Sequence, residues 1–243
     1  MNFHPLTALF LFPTMILFFE MGRSLRRRRT TESSSAVEGA VFALFGLLLA
    51  FTFSGAVSRY DRHRQLVTEE VNDIGTAYLR LNLLPAEAQS RLRQIFRDYT
   101  ASRMKLYDAV GNEISPETVR LQNLIWEQSI VAASSSGANP DAMKLLLPAI
   151  NDMIDITSTR QNSFNMHPPL IVFLLLGAFS CIAAFMAGYG MKTGTRDWIY
   201  TLVFSVTVTM TVYATLEIEY PRQGLLRLSE LDQSFVALRN SMQ

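Results

Sequence analysis

The sequence predicts an all-α integral membrane protein, in which four transmembrane helices carry a helical bundle inserted between spans two and three. Three observations predict it. Of 243 residues, 49% are hydrophobic and only 18% charged, with a mean hydropathy of +0.16, a balance that suits lipid better than a soluble surface. Four apolar runs, at 3–22, 38–58, 168–190 and 197–217, are each long enough to span about 30 Å of hydrocarbon at about 1.5 Å per helical residue. The stretch 59–167 between the second and third runs holds no such segment and reads as shorter helices with clear starts. The expected organisation is therefore spans one and two with an arginine-rich loop (1–58), the bundle (59–167), spans three and four (168–217), and an amphipathic tail (218–243).

Span one resembles a secretory signal only superficially. Its positive charges follow the apolar stretch and no small-residue cleavage site appears, so it is expected to be a retained helix. The segment RSLRRRRTTESSS (23–35) then packs Arg23, Arg26, Arg27, Arg28 and Arg29 against the end of that span, which places the loop in the cytoplasm by the positive-inside rule. Lys192 and Arg196 in GMKTGTRD (190–197) fall on the same side. Both termini and the bundle are then expected outside the cytoplasm of a multi-pass protein of the bacterial inner membrane. Arg59, Arg62, Arg64, Arg160, Arg222 and Arg227 flank the opposite side, so the assignment rests mainly on the first loop.

No breaker separates Ser58 from Asp61. Span two is therefore expected to run into the bundle as one helix of roughly 45 residues, about 70 Å long. Bundle helices are predicted near 60–83, 85–110, 115–135 and 139–165, broken by NLLP, VGNEIS and SSSGAN. Pro85, Pro116 and Pro140 suit first turns, with Ser115 and Asn139 as N-caps. Leu92, Ile95, Phe96, Tyr99 and Met104 form a helical stripe expected to be buried, and Pro148 is expected to kink the fourth helix.

Composition narrows the chemistry. A net charge of +1 does not make the concentrated basic face that nucleic acid requires. Cys181 is the single cysteine, so it forms no internal disulfide or thiolate cluster. His4, His63 and His167 stand apart in sequence, and His63 in RYDRHR reads as part of a polar helix surface. GYGMKTG (188–194) lacks the Gly-Lys-Ser/Thr ending of a phosphate loop. With no nucleophile and base, metal cluster or cofactor loop, the sequence predicts neither an enzyme nor a cofactor or metal site.

Span two offers the candidate site. Gly39, Ala43, Gly46, Ala50 and Ser54 recur every three or four residues, a seam on which membrane helices approach closely. Phe42, Phe45, Leu49 and Phe53 occupy the neighbouring arc. Plain helix packing with lipid contact accounts for both faces; the functional reading is a symmetric pore whose stacked apolar rings gate by dewetting. The hydroxyls of span four, among them Thr201, Ser205, Thr209 and Thr215, are spread around the helix and suit bonds to its own carbonyls. Carboxylates at the membrane boundary are costly and need a partner or water. Glu20 and Glu38 lie near the arginine loop. Glu217 is expected to pair with Arg59 or Arg62, and Glu219, preceding Tyr220 and Pro221, is expected at the watery interface.

Three stretches, EGAVFALFGLLLAFTF (38–53), EEVNDIGTAYLRL (69–81) and EYPRQGLLR (219–227), resemble the bestrophin-like family of prokaryotic integral membrane proteins. NDIGTAYLR is the most specific of them. The resemblance implies a distant similarity to bestrophins, pentameric anion channels with a pore lined by the helix equivalent in order to span two. It also implies a cytoplasmic bundle, opposite to the side that the arginine loop indicates. The acidic calcium cluster of bestrophins has no counterpart in the tail, which carries only scattered Glu230 and Asp232. Two functions are expected as alternatives. One is a channel-like homo-oligomer in the lipid bilayer, passing small ions along an axis lined by span two. The other is a non-conducting membrane-anchored sensor or assembly scaffold acting through the bundle.

Overall fold

Every regular element among the described residues, which are 5–28, 35–108, 114–191, 198–220 and 229–242, is helical in this computed structural model. A 3-10 turn at Pro5–Phe10 leads into α1 (Leu11–Arg28), followed by α2 (Ser35–Arg80), α3 (Ala86–Asp108), α4 (Pro116–Ala133) and α5 (Ala142–Asn165). The chain continues through α6 (Leu170–Tyr189), α7 (Trp198–Glu219) and α8 (Ser229–Ser241). His4, Arg29, Lys192, Arg196, Arg222 and Arg227 lie outside the described residues, as do the side chains of Glu230 and Asp232. Among the described residues, four helical stretches, Leu6–Arg28, Ser35–Leu83, Ala142–Tyr189 and Trp198–Glu219, are long and apolar enough to cross a membrane by length and composition. The 46 residues of α2 form one helix, as the missing breaker predicts.

Two compact units divide the chain. The first comprises Met1–Tyr60 and His167–Arg227. Its core gathers Met15 and Phe19 of α1, Phe45 of α2, Leu176, Ala183 and Ala184 of α6, and Val208 and Val212 of α7. A close helix crossing joins α1 to α6 through two glycines. A Cβ on Gly22 would overlap the Phe185 carbonyl oxygen, and one on Gly188 would overlap that of Phe19, so only glycine permits this approach. The signal for it, Gly22 against Gly188, lies outside the span-two seam on which the sequence drew attention.

The second unit comprises Asp61–Met166 and Leu228–Gln243. Val67, Ile74 and Ala77 form the apolar stripe of this part of α2, and Leu81, in the 3-10 turn Leu81–Leu83 that follows it, continues the stripe. They meet Leu92, Phe96 and Tyr99 of α3, Leu121 and Ile125 of α4, and Leu146, Ile150 and Met153 of α5. The stripe predicted on α3 is thus buried at Leu92, Ile95, Phe96 and Tyr99, with Met104 packed at its margin. Helix α8 adds Phe235 to this core, and the Tyr78 hydroxyl donates to the Met242 carbonyl at 3.0 Å.

Caps explain the starts. Ser115 is extended (φ −65°, ψ 146°) and accepts from the Thr118 amide at 3.1 Å, with Pro116 in the first turn of α4. Asn139 departs from expectation. Its side chain accepts from the Asp141 amide at 2.9 Å in a turn before the helix, and α5 begins at Ala142 instead. An Asn side chain that bonds its own chain two residues on stabilises a turn, which is the competing use of that residue type.

Candidate functional site

The apolar part of α2 is the least covered of the four membrane-length stretches. Only 11% of its window is buried within the chain, against 28% to 39% in the others. At about 100° per residue, its exposure divides into three arcs. Phe42, Phe45, Leu49, Thr52 and Ala56 face the chain's own helices: Phe45 and Ala56 are buried and the others half-buried. Phe42 meets Phe204 edge-on at a centroid distance of 6.2 Å. Gly39, Ala43, Gly46, Ala50 and Ser54 make a second arc that is exposed throughout, and Cβ atoms on Gly39 and Gly46 would meet nothing within 4 Å. Leu44, Leu47 and Phe51 make a third, at 57%, 52% and 68% exposure.

The sequence-based candidates Phe42, Phe45 and Leu49 thus lie on the arc that meets the chain's own helices. Phe45 is only 6% exposed and belongs to the core of its own chain; a side chain held there cannot also line a pathway between copies. Phe53, at the edge of this arc, is exposed. Sequence periodicity does not single out Leu44, Leu47 and Phe51. Their spacing of three and four residues was legible, but it lay beside an equally regular aromatic arc.

The boundary charges are rearranged as well. Glu219, not Glu217, takes Arg59: the guanidinium Nε donates to the two carboxylate oxygens at 3.0 and 2.8 Å, with Nη2 at 2.7 Å from Oε2. His167 Nδ1 lies 3.2 Å from Oε1 of the same carboxylate, and its ring packs on Tyr220 at 4.5 Å. The Glu219 side chain is 1% exposed, so it is not in water as expected. The reason is that α7 runs through Glu219 before Pro221, which carries the side chain inward. Glu217 is also buried and shares a hydrogen bond with the Tyr213 hydroxyl. The two carboxylates have different partners, as their separation of about 200° around a helix predicts. Arg62 is exposed. Glu20 pairs with Arg23 one turn on, and the Glu38 carboxylate lies against Gly190, with Oε2 2.9 Å from where a Cβ would stand.

Within the second unit, Glu70 holds two arginines in the core. Arg103 Nε donates to Oε1 at 2.5 Å, and Arg160 Nη1 donates to Oε2. All three are essentially buried, so the one carboxylate stands in for solvent at both guanidiniums and the triad keeps a net charge of +1. Beside them, Tyr99, Thr157 and Gln122 form a buried polar network, and burial raises the Tyr99 hydroxyl pKa. Asp73 is half-buried and its carboxyl is raised to about 6, first by burial and then by the neighbouring charges of Glu69, Asp152 and Glu70. His63 stacks on Phe164 at 4.2 Å and lies 3.4 Å from the Ser163 hydroxyl. No group of three or more His, Cys, Asp or Glu suited to a metal occurs among the described residues.

A family model of the Bestrophin-like domain matches residues 6–232. The fold is similar to that of a bacterial bestrophin homologue from Klebsiella pneumoniae. Its crystal structure by Zn-SAD phasing aligns at TM-score 0.70 and 14% identity, covering 96% of this chain and 98% of that one. Two point mutants of that homologue align at TM-score 0.74 with 13% identity, covering 96% and 99%, and at 0.75 with 14%, covering 97% and 97%. None of the curated proteins matches. At these identities the structural likeness speaks for the fold.

Proposed function

We propose that this chain, which belongs to the Bestrophin-like family, is a channel-like homo-oligomeric membrane protein that passes small ions through an axis lined by α2. The observation that carries the reading is the pair of uncovered arcs on α2. The small-residue arc suits close approach by a neighbouring copy's helix, because backbones of membrane helices meet where side chains are small. The adjacent arc of Leu44, Leu47 and Phe51 then faces the axis of a closed ring, as stacked apolar rings that gate by dewetting. Phe42, Phe45 and Leu49 hold the helix in phase from behind.

In this reading four helices cross the membrane with the bundle inserted between the second and third, and the arginine-rich loop lies in the cytoplasm, with the bundle on the other side. The competing reading, a non-conducting scaffold acting through its bundle, has one observation in its favour: a cleft of about 600 Å³ between α3 and α4, floored by Leu92 and Ala132. An oligomer count by native mass spectrometry in detergent, paired with ion flux in liposomes, separates the two. Phe51→Ala is expected to raise basal leak, whereas Phe45→Ala costs folding stability, about 3–5 kcal/mol for a buried phenylalanine, without opening the axis. A monomer, or flux through Phe51→Ala identical to the parent, removes the axial pore.

A further inference from the structure

Helix α1 ends in a run of arginines that its own chain uses unevenly. Arg23 is buried and paired with Glu20, and Arg26 lies over the Tyr189 ring at 5.6 Å. The Gly22 and Gly188 crossing brings this end of α1 against the end of α6, which gives Arg26 its aromatic neighbour. Arg27 and Arg28 differ. Both are exposed, and they pair with no carboxylate among the described residues. Favourable interaction with the C-terminal end of the helix dipole accounts for their presence in the last turn. It does not account for what lies beneath them. Leu17, Met21 and Leu25 are exposed at i, i+4 and i+8, and Arg28, at i+11, ends the same face at about 100° per residue. Ser24, also exposed, lies on this face between Met21 and Arg28.

An exposed apolar track, finished by guanidiniums that pair with no carboxylate among the described residues at the end of a membrane-length helix, has the polarity of one kind of partner. We propose that this face of α1 binds an anionic phospholipid. The phosphodiester sits at Arg27 and Arg28, with the Ser24 hydroxyl beside it, and an acyl chain lies along Leu25, Met21 and Leu17. Guanidinium matches phosphate oxygens in geometry as well as charge. A free phosphate engages only the head of the site and leaves the apolar track uncovered. The surface is distinct from the α2 arcs and does not depend on whether the protein conducts.

The test uses the full chain in a neutral detergent with added dioleoyl phosphatidylglycerol, dioleoyl phosphatidylcholine, or inorganic phosphate, read by native mass spectrometry and by melting. Phosphatidylglycerol is expected to give discrete adducts and to raise the melting temperature, with phosphatidylcholine and inorganic phosphate giving neither. At about 1 kcal/mol for each basic residue near an anionic surface, the double substitution Arg27→Ala with Arg28→Ala is expected to weaken phosphatidylglycerol binding on the order of thirtyfold. Both side chains are exposed, so the variant's own melting in lipid-free detergent should fall by no more than the few degrees that the lost helix-dipole interaction accounts for. Arg27→Lys with Arg28→Lys should retain most of the affinity, and Arg120→Ala, at an exposed pair with Glu117 elsewhere, should retain all of it. Equal adducts from phosphatidylcholine, a phosphate effect as large as that of phosphatidylglycerol, or undiminished binding by the double alanine variant would each overturn the proposal.

Discussion

Removing the carboxylate of Glu219 isolates the contact that fastens α7 to α2. Glu219→Gln keeps the shape and deletes the charge that receives Arg59 through three contacts of 2.7 to 3.0 Å. Breaking a buried pair by removing one partner costs about 3–5 kcal/mol, most of it from the charge left behind. Here the two partners are unequally buried, 33% exposure for the Arg59 side chain against 1% for Glu219. A guanidinium left alone regains water, so Glu219→Gln should cost less, about 2–3 kcal/mol. Arg59→Met leaves the carboxylate buried with His167 as its remaining partner, and should fall in the full range of about 3–5 kcal/mol. At about 2–4 °C per kcal/mol for a chain of this size, Glu219→Gln should melt roughly 4–12 °C below the parent when followed by tryptophan fluorescence in detergent. The double variant should lose less than the sum, because it strands neither charge. If Glu219→Gln melts with the parent, or if Arg59→Met couples more strongly to Glu217→Gln than to Glu219→Gln, the assignment of Glu219 as the partner is wrong.

Asp73 supplies a pH prediction. Its folded pKa of about 6 lies above the ordinary 3.8, so between those values the native chain holds a proton that the unfolded chain has released. Stability therefore declines as pH rises through that window. Asp73→Asn should make the protein more stable than the parent at pH 7, by about 1 kcal/mol after allowing for solvent screening of a half-exposed group. The gain should disappear below about pH 4, where both states of the parent carry a neutral Asp73, and an unchanged difference across this range would exclude Asp73 as its source. Glycine substitutions separate packing within the chain from packing between copies. Gly188→Ala places a methyl group on the Phe19 carbonyl and should destabilise the folded chain by at least about 1–3 kcal/mol. Gly46→Leu meets nothing in its own chain, so its expected effect is a loss of oligomer at unchanged melting of the protomer, read by native mass spectrometry. For topology, a cysteine at exposed Ser135 should react with a membrane-impermeant thiol reagent in intact cells; labelling only after lysis would put the bundle in the cytoplasm.

Local order was legible in the residues. A helix forms where short-range hydrogen bonding and side-chain periodicity agree, and this is why α2 runs unbroken to Arg80, why Ser115 and Pro116 open α4, and why the α3 stripe is buried. In α3 the stripe stands out because its polar and apolar residues fall on different faces. Span two has no such contrast. Apolar on every side, it carries two regular arcs, and lipid tails are as apolar as leucine, so periodicity alone could not tell which arc meets the chain's own helices. Tertiary packing decided that Phe45 turns inward and that the glycine seam stays uncovered.

The polar contacts show the same division. That boundary carboxylates need partners followed from the cost of leaving charge unpaired in lipid, and the separation of Glu217 from Glu219 followed from helix geometry. Which cation each received did not. Glu219 reaches Arg59 across 160 positions and His167 across 52, while Glu70 gathers Arg103 and Arg160 from 33 and 90 positions away. A histidine that stands alone in sequence is therefore not alone in the fold. The amino-acid order determined the helices, their lengths and the charges they had to satisfy, because those follow from bonds and side chains within a turn or two. Only the crossing of distant helices decided which faces and which charges met, because burial away from water favours the pairs that packing brings within hydrogen-bonding distance.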